Sequence, residues 1–118
     1  MEPEGSDPVE AFLSTLCRYL RDRGHIVFPM VEASGQERLM VALVGLYRRH
    51  DAEETGYLQF SHVVEALEAC GDACMERLRE EAGLEGFRVL DGEEYAVFRV
   101  EQLRRLYRRC SRSQARRV

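Results

Sequence analysis

Apolar residues recur at helical spacing in several short runs of this chain, and nearly every run stops at a glycine. In PVEAFLSTLCRYLRDRG, Phe12, Leu13, Leu16, Cys17 and Leu20 share one helical face, and Gly24 is expected to end the helix. Ser6 or Asp7 supplies its cap, and Pro8 suits its first position. HIVF reads as a short β-rich run that Pro29 closes. A second helix is predicted over 36–50, where Ser34 and Glu37 form a capping box and Leu39, Leu43, Leu46 and Tyr47 make the stripe. FSHVVEALEACG predicts a third helix from about Ser61 to Gly71. DACMERLREEAG predicts a fourth, capped by Asp72 and stopped by Gly83, and VEQLRRLYRRC a last one with Leu103, Leu106 and Tyr107 on one face. Only GFRVLDGEEYAVFRV departs from this period: it alternates apolar and polar on either side of Asp91-Gly92, the signal of a β-hairpin.

At 118 residues the chain is expected to form one domain, and its 45% apolar content is enough for a real core. Residues 1–7 are polar and acidic and are expected to be disordered. Residues 8–110 make the globular domain, and 111–118 a flexible Arg-rich tail whose abrupt end suggests a piece of a longer protein. The absence of a secretory signal and of a long apolar run leads to the expectation of a cytoplasmic protein, with the nucleus as the alternative, that crosses no membrane. Cys17, Cys70, Cys74 and Cys110 are then expected to be thiols.

The middle of the chain, YRRHDAEETGYLQFSHVVEAL, has a helix, an acidic loop with a glycine, and a second helix. With Asp51 at the first loop position, Glu53, Thr55, Tyr57, Gln59 and His62 fall at the ligand positions, Gly56 at the turn and Leu58 at the apolar position. This resembles an EF-hand. Gly24, Ile26 and Phe28 echo Gly56, Leu58 and Phe60, so a shortened twin loop is expected over Arg21–Met30, with Leu58 and Ile26 pairing between the loops. The ligand set is degenerate: His62 replaces the bidentate Glu, and Arg21 and Met30 stand at the end positions of the twin. The resemblance therefore implies a calcium-independent, EF-hand-like pair over 8–70, with no bound metal or cofactor, followed by a helix, hairpin and helix over 72–110. The fold class is mainly α with a small β component. AFLSTLCRYL and GYLQF are also faintly similar to the EF-like N-terminal domain of suppressor APC domain-containing proteins.

No phosphate-binding loop, nucleophile elbow or zinc-peptidase motif is present, so an enzyme is not expected. Cys70, Cys74 and His62 could in principle ligate a metal, but Gly71 and Asp72 interrupt the spacing a zinc site needs, and partly buried thiols are the plainer reading. The expected role is that of a protein-interaction scaffold whose partner is another protein, a helical peptide or a second copy of itself. Leu43, Leu46, Tyr47, Val64 and Leu67 are the candidate contact residues, although each also suits the core. Every one of the seventeen basic residues is Arg, and Arg104, Arg105, Arg108 and Arg109 form a basic surface on the last helix. The alternative is a winged-helix-like nucleic-acid-binding domain with the 86–100 hairpin as wing. The acidic helices and the hairpin tip Asp91-Gly92-Glu93-Glu94 oppose it.

Overall fold

The computed structural model describes residues 6–117, with the side chains of 112–117 outside the description. The expected disorder of 1–7 falls almost wholly outside the described residues; Ser6 and Asp7 are ordered. The fold class is as the periodicity indicates, mainly helical with a small antiparallel sheet. The order is α1 (Pro8–Ser34), β1 (Arg38–Ala42), α2 (Leu43–Arg49), α3 (Ala52–Thr55), α4 (Phe60–Cys70), α5 (Asp72–Ala82), β2 (Leu84–Leu90), β3 (Glu93–Arg99) and α6 (Val100–Arg117).

Helix α1 starts where the sequence places it. Asp7 accepts a hydrogen bond from the Val9 amide at 3.0 Å, and Pro8 occupies the first turn. It does not stop at Gly24. Its buried stripe runs through Val9, Phe12, Leu16, Leu20, Gly24, Phe28 and Val31, an unbroken helical seam on one face. Gly24 and Pro29 each weaken a helix interior, and burial of Phe28 and Val31 in the core outweighs that cost. The shortened loop expected at Arg21–Met30 is thus helical, and the expected pairing of Ile26 with Leu58 is absent. Ile26 is exposed on α1, and Leu58 is exposed in the loop before α4. Ser34 is the last residue of α1 rather than the cap of a following helix, and Gly35 closes α1 in the left-handed conformation at φ 72°.

The predicted 36–50 helix is split. Residues 38–42 form β1, which pairs antiparallel with β3 from Arg38 opposite Arg99 to Ala42 opposite Tyr95. Only 43–49 remain helical. The hairpin forms as expected, with Leu90 opposite Glu93 and both Asp91 (φ 53°) and Gly92 (φ 78°) in the left-handed region that a two-residue turn requires. The sheet order is β1-β3-β2. The chain thus runs helix, strand, four helices, hairpin and a last helix.

Phe12 lies at the centre of the core, its ring 5.7 Å from Phe60 and 6.5 Å from both Phe87 and Phe98. Helix α6 packs along α1, with Leu103, Leu106 and Cys110 buried and Tyr107 stacked on Phe28 at 5.1 Å. It continues to Arg117, past Cys110 where the sequence reading ends it.

All four cysteines are paired, which corrects the expectation of free thiols. Cys17 and Cys110 lie on facing stripes of α1 and α6 with Cα atoms 5.5 Å apart. Cys70 and Cys74 bridge the α4–α5 break at 5.8 Å. By loop-closure entropy the first bond, spanning 93 residues, contributes about 4–5 kcal/mol and the second, spanning 4, about 2 kcal/mol.

Candidate functional site

The 51–62 segment lies between α2 and the first turn of α4, and several of its polar groups are used internally. Asp51 accepts hydrogen bonds from the Glu53 and Glu54 amides at 3.0 and 3.4 Å and so caps the single turn α3. Arg18 of α1 approaches Glu54 at 3.6 Å and Asp51 at 4.0 Å. Thr55 is buried: its Oγ1 lies 2.7 Å from His50 Nε2 and accepts from the Tyr57 amide at 3.2 Å. Gln59 accepts from the Ser61 hydroxyl at 3.2 Å. Asp51, Glu53, Thr55, Tyr57, Gln59 and His62 therefore do not converge on a common centre. Among the described residues no group of three or more His, Cys, Asp or Glu side chains is placed to hold a metal ion. Burial holds the His50 imidazole below its ordinary pKa; Asp51 partly opposes this and His62 adds to it.

Three of the five expected contact residues are core. Leu43, Leu46 and Leu67 are at most 4% exposed and reach no partner, because they fill the space between α1, α2 and α4. Val64 is half-buried, and Tyr47 is exposed while its ring edge packs on Phe60 at 5.5 Å. Most of the basic surface is neutralised. Arg104 meets Glu32 at 2.9 Å and lies over the Phe28 ring, Arg105 meets Glu101 at 3.1 Å, and Arg109 meets Glu81 at 3.3 Å. Arg108 lines a shallow hollow together with Glu80 and Glu81.

The surface that sequence periodicity missed lies a quarter turn away on α4. His62, Ala66, Ala69 and Cys70 follow one another along that helix at i, i+4, i+7 and i+8 and form the floor of a groove of about 960 Å³. Cys74 and Arg77 of α5 close one side. Tyr57 and Leu58 close the other, and Leu58 is 76% exposed, the most exposed large apolar side chain described. The N-terminal residues Ser6, Asp7 and Pro8 form one end. They are pinned there: the Tyr57 hydroxyl donates to the Ser6 carbonyl at 2.8 Å, and Arg77 pairs with Asp7 at 3.0 Å. Burial, and then the Asp7 charge, raise the Tyr57 hydroxyl above its usual pKa and keep it a neutral donor. Two alanines in the floor allow close approach of another backbone, as in tight helix packing. Glu65 and Glu68 are exposed on α4 outside this lining, and the charged side chains of the lining itself are Asp7 and Arg77, paired with each other. The signal in the sequence was the run of small residues at helical spacing, which a search for large apolar residues passes over.

No family model, no curated protein and no solved structure matches the chain.

Proposed function

We propose that this chain is a non-catalytic protein-binding domain that seats a basic amphipathic helix of another protein in the α4–α5 groove. The observation that carries this reading is Leu58, 76% exposed at the edge of a groove floored by Ala66 and Ala69. A contiguous apolar surface marks an interaction site where a single exposed side chain does not, and Leu58 is continuous with Tyr57, Ala66 and Ala69 in the groove lining. The floor admits a partner helix at close range, Leu58 packs between its aliphatic side chains, and Glu65 and Glu68, exposed on α4 outside the groove lining, attract Lys or Arg on its outer flank. Calcium plays no part in this reading, in which Asp51, Thr55 and Gln59 serve as a cap and in internal bonds.

A fluorescent Leu/Lys amphipathic peptide of about 14 residues, long enough to fold as a helix on a surface, tests it directly. The peptide is expected to bind, and a Leu/Glu peptide of equal length is not. Leu58→Asp and Ala69→Trp should each weaken binding by about tenfold or more without loss of fold, since a central contact residue carries about 2 kcal/mol. Equal affinity of wild type and both variants, or equal binding of the acidic peptide, refutes the site.

The connectivity supports a second reading, a winged helix on nucleic acid. Its electrostatics oppose it: α5, which precedes the hairpin, carries Asp72, Glu76, Glu80 and Glu81 against Arg77 and Arg79, and the hairpin tip carries Asp91, Glu93 and Glu94. A labelled duplex at low salt should show no binding; tight binding with a steep salt slope would replace the first reading with this one.

A further inference from the structure

We propose that the Cys70–Cys74 disulfide is a thiol-exchange site, attacked at Cys70 by a small-molecule monothiol of the glutathione class, and that opening it loosens the junction that shapes the groove. The second half rests on the groove reading; the first stands on the two bonds themselves.

The two disulfides differ in access. Cys110 is 3% exposed and Cys17 half-buried where they line the open hollow between α1 and α6, so an incoming thiol reaches that bond less readily than one with a fully exposed sulfur-bearing residue. Cys70 is exposed at the end of α4, whereas Cys74 is 4% exposed. Attack is therefore directed to the Cys70 sulfur, and the Cys74 sulfur leaves. Cys74 is the third residue of α5, and the free amides of that first turn stabilise the thiolate that departs. A stabilised leaving thiolate makes exchange faster.

The step balances. The attacking thiolate forms a sulfur–sulfur bond to Cys70 while the Cys70–Cys74 bond breaks, and the Cys74 thiolate takes a proton from water. A second thiolate then attacks the mixed disulfide at the sulfur of the first small molecule. It leaves Cys70 as a thiol and the two small molecules as their own disulfide. The two electrons that reduce the protein come from these two thiols.

What the bond holds is the break between the helices. Gly71 lies at φ 81°, ψ −144°, and a Cβ built on it would meet nothing within 4 Å, so nothing packs against the junction on that side. Gly71 donates to the Leu67 carbonyl at 3.0 Å and accepts from the Met75 amide at 3.2 Å, so each of these bonds ties Gly71 to one helix and neither joins α4 to α5 directly. The groove straddles this point, with its floor on α4 and one wall on α5. Released from Cys74, the end of α4 pivots at Gly71 and the wall moves relative to the floor.

The full chain in glutathione buffers of rising reducing strength, quenched by alkylation and mapped by mass spectrometry, tests the site. Cys70 should carry the mixed disulfide, and the Cys17–Cys110 bond should open only at a glutathione ratio about tenfold more reducing or beyond. Amide exchange over 67–75 should then become about tenfold faster. A variant with both Cys70→Ser and Cys74→Ser should show the same fast exchange without any thiol. Both bonds opening together, an adduct on Cys74, or a double variant as protected as the oxidised protein would each overturn the proposal. The Leu/Lys peptide should bind about fivefold more weakly to the opened form. Equal binding to both forms overturns the gating. Peptide binding absent from both forms, with the Cys70 adduct in place, refutes the groove and leaves the exchange site intact.

Discussion

Gly24 shows how one residue can carry two opposite signals. Alanine there improves helix propensity by about 1 kcal/mol. A Cβ at that position, however, would lie 2.5–2.9 Å from the Tyr107 ring, which stacks on Phe28. Gly24→Ala is therefore expected to destabilise the protein by about 1–3 kcal/mol, the usual penalty of overpacking, read as a lower midpoint in urea. A fall smaller than the scatter, or a gain, would show that Tyr107 swings away freely. His50 makes a pH statement. Its folded-state pKa is depressed, chiefly by burial, so the unfolded chain binds the proton more tightly. Stability from this residue is complete above the ordinary histidine pKa of about 6.5 and is lost as pH falls below it. Thermal scans from pH 7.5 to 5 should show part of the acid loss missing in His50→Gln. An identical pH profile in the variant contradicts the assignment.

At the scale of elements, local signals succeeded where the chain's own neighbours decide the outcome. The Asp7-Pro8 start of α1, the Asp91-Gly92 turn and the Gly83 stop all rest on backbone conformations that a few adjacent residues set. The failures lie where a distant partner decides. Arg38–Ala42 has a helical stripe, but its backbone groups pair with 95–99 instead. Gly24 and Pro29 look like breakers until Tyr107 and the core beneath Phe28 are in place. The groove was hidden for another reason: its floor is alanine, and small residues leave no mark in a search for large ones. The α1–α6 disulfide was equally invisible, since no spacing rule links positions 93 apart. Replacing Cys17 and Cys110 together by Ser should lower stability by about 4 kcal/mol. For a domain of this size that is a fall in Tm of roughly 15 °C. A loss no larger than that of the Cys70–Cys74 pair would mean that α1 and α6 hold each other without the bond.

For the molecule as a whole, one long helix organises everything else. Helix α1 contacts α2, α3, α4, α5 and α6, and Phe12 on it touches rings from α4, β2 and β3. Phe12→Ala should thus cost about 3–5 kcal/mol and loosen the sheet and the helices together. A calorimetric transition that splits in two would show separate units instead. The sheet adds a matter of timing. Strand β1 is made early, but its partner is β3, not the hairpin strand β2. Chain growth at about 5–20 residues per second leaves β1 unpaired for about 3–10 s before β3 exists. Through that interval a newborn chain displays Leu39, Met40 and Val41 on an open edge, the stretch most open to pairing with a second chain.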